Sequence, residues 1–233
     1  LHPVVEKALS EGRAWLSLSE SLRLLEDNGI PVARYVTLSG PEDAERAAQL
    51  GFPLVLKIDS PDVIHKSDVG GVRVGIRSIE ELREAAREML EAVRAAAPGA
   101  RIYGLVAQEM LSEGYELFIG GINDKQFGPV VAFGLGGVFV EVLRDVAFDL
   151  APLTPEEARL LIERPRGSKL LHGYRGRPPA DIDLLARIVS RFSELIYELR
   201  DVFEEADLNP TYAWRDWVKV VDARFKLRVG SAG

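Results

Sequence analysis

Residues 54–76 read LVLKIDSPDVIHKSDVGGVRVGI. Two runs with strand character, Leu54–Asp59 and Val72–Ile76, flank a polar loop that ends in a glycine pair. One lysine, Lys57, stands inside the first apolar run, and His65 and Lys66 stand in the loop just ahead of Gly70-Gly71. A buried ammonium is costly without a partner, and phosphate is a suitable one. Glycines let the backbone approach phosphate oxygens and aim N–H groups at them. The alternative for Lys57 is a stem that snorkels from a strand edge.

Outward from this stretch, turn and cap chemistry divides the chain. Ser17-x-x-Glu20 forms a capping box and opens a helix with Leu22 and Leu25 on one face, ending at Asn28-Gly29. Ile30 to Leu38 reads as a short strand. Ser39-x-x-Glu42 with Pro41 starts a helix that Gly51 closes, and Ser78-x-x-Glu81 starts one that runs to about Ala97. After Ile102 the pattern changes. Ile102–Glu109, Glu116–Ile122, Pro129–Phe133 and Val138–Leu143 are strand candidates, with a glycine-rich tight turn over Gly134–Gly137. Thr154-Pro-Glu-Glu157 opens a helix, Arg164–Pro179 is a basic loop, and an amphipathic helix spans about Pro179 to Glu204. Trp217–Ala223 is the last clear strand. The expected organisation is α+β: an N-terminal helical segment (1–20), a first lobe (21–101), a second lobe (102–227) and a tail (228–233), with a ligand cleft between the lobes.

The bulk numbers bound the function. The 233 residues are 47% hydrophobic and 28% charged, as in a soluble globular protein. A net charge of −7 argues against nucleic acid as a partner, so an anionic ligand must be held by local cations. No apolar run approaches the ~20 residues needed to cross a bilayer. Glu6, Lys7, Glu11 and Arg13 stand where the apolar core of a signal peptide would lie, so cytoplasm is the expectation. With no cysteine, disulfides, thiolate metal sites and a cysteine nucleophile are excluded. Arginine outnumbers lysine, and Asn, Gln and Met are scarce, which points to a high growth temperature.

FPLVLKI, IHKSDVGGV, the run GYELFIGGINDKQFGPVVAFGLGGVFVEVLRDVAFDLAPL, and DLNP followed by VVDAR resemble an ATP-grasp domain. More narrowly they resemble the β subunit of ADP-forming acetyl-CoA (acyl-CoA) synthetases, relatives of succinyl-CoA synthetase. The resemblance runs in order through nearly the whole chain. It implies an ATP-grasp fold of two α+β lobes with adenine nucleotide between them, Mg²⁺, and reversible conversion of acyl-CoA, ADP and phosphate to carboxylic acid, ATP and CoA. It also implies a separate α subunit that carries CoA and delivers phosphoryl as phosphohistidine, in an α2β2 assembly. No Gly-rich CoA-binding signature follows an N-terminal strand here, so the chain alone is expected to be inactive. Other classes stay open: a self-contained ATP-grasp ligase, or a nucleotide-sensing module without chemistry.

The same resemblance distributes roles. Lys57 contacts nucleotide phosphates, where a fixed ammonium offsets charge gathered during transfer. His65 relays phosphoryl, since a neutral imidazole is nucleophilic near neutral pH. Lys66, Gly70 and Gly71 flank it and are expected to bind the nucleotide phosphates. Asp68 either orients its ring or caps a turn, and His172 is the competing carrier. Gln108, Glu109, Met110 and Leu111 form the hinge that binds adenine, with Glu109 accepting from the exocyclic amine. Glu116 meets the ribose. Asn209 and Asp222 hold Mg²⁺, with Asp207 as a third or outer ligand. Without the resemblance these are turn residues beside a strand. From side-chain chemistry rather than the resemblance, Arg144 is a further catalytic candidate: its guanidinium fork either holds phosphate or pairs with Asp145 or Asp149. The loop 164–179 either closes over phosphate, docks the partner, or is a solvated crossover.

Overall fold

The structure, a computed structural model, describes residues 1–230. Helix α1 (Pro3–Ser10) is capped by the His2 ring, and α2 (Leu18–Asp27) opens at the expected box, with the Ser17 amide donating to Glu20 at 2.8 Å. There follow β1 (Tyr35–Leu38), β2 (Leu54–Asp59), β3 (Val72–Ile76), α3 (Ile79–Ala96) and β4 (Gly104–Glu109). The remainder is β5 (Tyr115–Asp124), β6 (Gly128–Leu135), α4 (Val138–Glu141), β7 (Val146–Leu150), α5 (Pro155–Glu163), α6 (Ile182–Glu198), β8 (Phe203–Trp214), β9 (Trp217–Val220) and β10 (Arg224–Leu227). The chain divides into two compact units: Ser17–Glu20 with Ala33–Ser112, and Leu1–Leu16 with Ser21–Val32 and everything from Glu113 onward.

The smaller unit is an antiparallel sheet in the order β1-β4-β2-β3. Helix α3 starts where Ser78 accepts from the Glu81 amide, and it buries Leu82, Ala85, Ala86, Met89, Leu90 and Val93 at helical spacing. That stripe shares a core with Leu54, Leu56 and Ile58 of β2 and with Leu105 and Ala107 of β4. Each large apolar side chain buried there contributes about 1.5–3 kcal/mol. Because side chains alternate along a strand, Val55, Lys57 and Asp59 fall on the opposite face, beside Val106 and Gln108. All six residues of β2 are buried.

The larger unit is a six-stranded antiparallel sheet in the order β10-β8-β5-β6-β7, with β9 also paired to β8. Helices α5 and α6 pack on one face, and α5 has the complete capping box at Thr154 and Glu157. Gly121 of β5 lies beneath α6: a Cβ there would come within 3.0 Å of Ile196 Cδ1.

Several elements differ from the sequence reading. Val138–Leu143 is not a strand but the short helix α4 (Val138–Glu141) with a turn over Val142 and Leu143, because Gly137 (φ 63°) turns the chain out of β6 and the Glu141 amide bonds back to Gly137. Gly134 and Leu135 therefore end β6, Gly136 and Gly137 make the strand-to-helix turn, and β7 follows α4. Pro41–Leu50 forms a 3-10 helix, which Ser39 does not cap; the Ser39 amide donates to Asp43 at 2.8 Å. Only Tyr35–Leu38 of the Ile30–Leu38 stretch is strand, with Val32 bridging to Val220. The strand 104–109 pairs with β1 and β2, in the first sheet rather than the second. Helix α6 ends at Glu198, and Trp217–Ala223 shortens to β9. The basic loop contains a 3-10 turn over Arg166–His172. Of the expected tail, 231–233 lies outside the described residues. No helix among the described residues is long and apolar enough to cross a membrane.

Candidate active site

Lys57 occupies an internal strand, between β4 and β3, and only 6% of it is exposed. It does not snorkel from an edge. Its Nζ donates to Gln108 Oε1 at 2.8 Å. The pairing follows from register: Lys57 faces Val106 and Val55 faces Gln108, so the two side chains are diagonal neighbours on one face. Asp59, next on that face, accepts from the Ser19 amide at 2.9 Å and from Ser19 Oγ at 2.5 Å. Ser19 belongs to the opening turn of α2, and nothing local in the sequence marks it as a partner of β2.

The loop after β2 folds as a 3-10 turn over Lys66–Val69, with His65 at its start and Gly70 (φ 74°) at its end. Gly71 is fixed by close approach. A Cβ there would stand 2.6 Å from Ile58 Cγ2 and 2.9 Å from the Lys66 carbonyl oxygen. The Gly71 amide donates to that carbonyl at 2.7 Å, and the Ile58 amide donates to the Gly71 carbonyl at 2.8 Å. Lys66 is buried, while His65 is exposed and its ring has no hydrogen-bond partner among the described residues. Asp68 therefore does not orient the ring. The other two histidines are engaged: His2 bonds Asp27 at 2.8 Å, and His172 Nε2 lies 2.9 Å from both oxygens of Glu163.

At the end of β4, Glu109 has a role the sequence did not disclose. Its Oε2 accepts from the Arg34 amide at 2.7 Å and from Arg34 Nε at 3.0 Å. The carboxylate serves to hold β4 to the segment before β1. Met110 is 40% exposed and Leu111 half-buried, which leaves apolar surface there for a ring.

In the larger unit, Glu116 stands opposite Tyr212 in the β5–β8 ladder. The phenol is pushed above its ordinary value, mainly by desolvation and then by the charge and hydrogen bond of Glu116. Gly136 makes room for that carboxylate: a Cβ would come 2.7 Å from Glu116 Cγ, and the Gly136 amide donates to the Glu116 carbonyl at 2.7 Å. Tyr212 was missed from sequence because its position on β8 is visible only once the ladder is known.

The metal candidates sit where the ladder breaks. Strand β8 pairs with β9 (Thr211 with Val220) and with β10 (Asp207 with Arg224) in one continuous register. Asn209 and Asp222 both lie in the interval that belongs to neither pairing, where the amides of Val221 and Asp222 donate to the Pro210 carbonyl at 2.9 and 3.4 Å. On the other side of β8, Asn209 and Pro210 together oppose the single residue Phe118, a bulge. The Asn209–Pro210 bond is cis, and the Pro210 carbonyl accepts from Val221 at 2.9 Å. The Asn209 amide is exposed and has no hydrogen-bond partner among the described residues. Asp207 is differently engaged: its carboxylate takes a fork from Arg224, at 3.3 Å from Nε and 3.0 Å from the terminal nitrogen. Among the described residues no group of three acidic or histidine ligands gathers. One amide and one carboxylate oxygen fit magnesium, which keeps several waters and shares phosphate oxygens, and do not fit an ion needing a full protein cage.

Arg144 pairs with neither Asp145 nor Asp149. Asp149 bonds Arg164 at 2.9 Å, and Asp145 accepts the amides of Arg166 and Gly167. Arg144 lines a separate concavity with Arg166 and Lys169.

An ATP-grasp domain model matches residues 7–227. The chain is 41% identical over 225 residues to the β subunit of acetate–CoA ligase (ADP-forming) I of Pyrococcus furiosus, covering 96% of both chains. It is 42% identical over 225 residues to acetate–CoA ligase (ADP-forming) I of Archaeoglobus fulgidus, of which it spans 32%. Among solved structures it is similar to Ca. Korarchaeum cryptofilum dinucleotide forming acetyl-coenzyme A synthetase 1. With coenzyme A and Ca-AMPCP bound to that protein, the TM-score is 0.91 at 44% identity, covering 96% of this chain and 98% of that one. With coenzyme A and Mg-AMPPCP bound, and its phosphohistidine segment pointing towards the nucleotide binding site, the TM-score is 0.83 at 43% identity, covering 97% and 98%.

Proposed function

The chain belongs to the ATP-grasp family, among the β subunits of ADP-forming acyl-CoA synthetases, and from this premise we propose that it is the nucleotide-binding subunit whose His65 relays phosphoryl to Mg–ADP. The overall reaction converts acyl-CoA, ADP and phosphate to carboxylic acid, ATP and CoA, reversibly. A fused relative such as the Archaeoglobus enzyme carries about two-thirds of its length outside the matched region, which supports an α partner supplying the CoA chemistry. We assign the pair an α2β2 assembly.

The observation that carries this reading is the contrast among histidines. His65 alone of the three has a ring without a hydrogen-bond partner among the described residues, at the start of a turn that follows the strand bearing buried Lys57. A neutral ring nitrogen can attack phosphorus. An N–P bond forms at His65 as the N–P bond of the partner's phosphohistidine breaks, and the electron pair returns to the partner's imidazole. A β-phosphate oxygen of ADP then attacks the same phosphorus, and the electron pair of the broken bond returns to His65. Lys57 offsets phosphate charge, with Gln108 fixing the direction of its ammonium. The end of β4 takes the adenine and Glu116 a ribose hydroxyl. Asn209 and Asp222 would hold magnesium, which when bound neutralises phosphate charge.

The test is turnover with the α partner. His65→Asn should abolish it while Mg–ADP affinity stays near that of the wild type. Lys57→Met should weaken Mg–ADP binding itself. Full turnover of acyl-CoA, ADP and phosphate by this chain alone would overturn the assignment, as would an unchanged rate in His65→Asn.

A further inference from the structure

We propose that the larger unit carries a second anion site, formed by Arg144, Arg166 and Lys169, that binds a phosphate group. The three cations line a concavity of about 650 Å³, with Phe139, Leu143 and Leu170 as apolar wall. Lys57, Glu116, Asn209 and Asp222 do not line it. This site rests on its own observations and not on the nucleotide reading above.

The first observation is the charge balance. The chain carries a net charge of −7, and carboxylates take up many of its arginines, Arg164 with Asp149 among them. Arg144, Arg166 and Lys169 have no ion-pair partner among the described residues. The carboxylate in the same concavity is already committed: Asp145 Oδ1 accepts from the Arg166 amide at 2.8 Å and Oδ2 from the Gly167 amide at 2.7 Å. Asp145 thus acts as a clamp on the turn and leaves the three cations facing the same space.

The second observation is that the backbone is built to hold them there. Arg144 adopts φ 51°, a conformation uncommon without glycine. It is enclosed by the bonds from the Asp145 amide to the Phe139 carbonyl (2.8 Å) and from the Val146 amide to its own carbonyl (3.0 Å). Gly167 admits no side chain, since a Cβ would stand 2.9 Å from Phe139 Cδ1 and 3.2 Å from Asp145 Oδ2. That close contact sets the Arg166–Lys169 turn against the segment bearing Arg144. Guanidinium forks match phosphate oxygens. The phosphate is either free or the end of an ester, and the apolar wall, with Leu143 63% exposed, would be covered only by an ester's organic part.

Calorimetry on the full chain, saturated with Mg–ADP, separates these. The probes are inorganic phosphate and phenyl phosphate. Both should bind, and Arg166→Gln/Lys169→Gln should weaken them by about a hundredfold or more, the loss of about two charge-assisted hydrogen bonds. The melting temperature and Mg–ADP affinity of that variant should match the wild type. Tighter binding of phenyl phosphate identifies an ester, and equal affinity identifies free phosphate. Absence of binding by both probes, or binding that survives the double variant, overturns the site. Failure of the wild type to bind Mg–ADP would count against the nucleotide reading alone, and the probes would then be titrated without it.

Discussion

Gly71→Ala tests how the loop that presents His65 is held. The added Cβ would lie 2.6 Å from Ile58 Cγ2 and 2.9 Å from the Lys66 carbonyl oxygen. Carbon atoms in contact sit about 3.5–4.0 Å apart, so roughly 1 Å of displacement is required. Neither neighbour can yield easily. Ile58 is 1% exposed beneath α3, and the Lys66 carbonyl is already bonded to the Gly71 amide at 2.7 Å. Gly71 is not among the positive-φ glycines, so the penalty is purely steric. Overpacking of this kind costs about 1–3 kcal/mol. For a chain of this size that lowers Tm by about 2–12 °C, readable by calorimetry or circular dichroism. Ile58→Ala removes the opposing methyl and alone costs about 2–5 kcal/mol. Combined, the two substitutions should cost about 1 kcal/mol less than their sum, because the same space is at issue. Turnover should fall further than Mg–ADP affinity, since the displaced turn begins at His65. A Gly71→Ala chain that melts with the wild type, or strict additivity with Ile58→Ala, would refute the reasoning.

Glu116→Gln should move the Tyr212 phenol part of the way back toward its ordinary value, followed by ultraviolet titration of tyrosinate; desolvation, the larger cause, remains. The sign is that of a raised folded-state pKa: the contribution to stability is present below about pH 10 and is lost as pH rises through the folded value. An unmoved titration would show that the carboxylate does not act on the phenol. Asn209→Leu should raise the Mg²⁺ concentration needed for nucleotide binding by about tenfold, the loss of about one oxygen ligand's contribution, with little change in Tm. Unchanged Mg²⁺ dependence removes Asn209 from the ion's ligands. His172→Asn should leave phosphoryl transfer intact, because its ring is engaged by Glu163; loss of transfer with retained nucleotide binding would move the relay from His65 to His172.

Local chemistry was legible in the chain. Ser17 and Glu20, Ser78 with the amide of Glu81, and Thr154 with Glu157 set helix starts where their side chains can reach orphan amides. The apolar runs around Lys57 and the glycine pair marked β2, the turn and β3. Val138–Leu143 misled, because β-branched residues signal a strand only if a neighbouring strand is there to pair with them. Pro210 disguised β8, since a proline inside a run argues against a strand that is in fact interrupted by a bulge.

By itself the sequence determined the family, the periodicity of each helix and the identity of the groups able to touch phosphate, since these depend on residue type and short spacing. Only the tertiary structure decided which of those groups are engaged. Arg34 claims Glu109 from 75 residues away, Arg224 claims Asp207 across the β8–β10 ladder, and Asn209 and Asp222 fall in the interval between two pairings of β8 that share one register. Register and long-range partners are set by how strands align across the sheet, and spacing along the chain carries no record of that alignment.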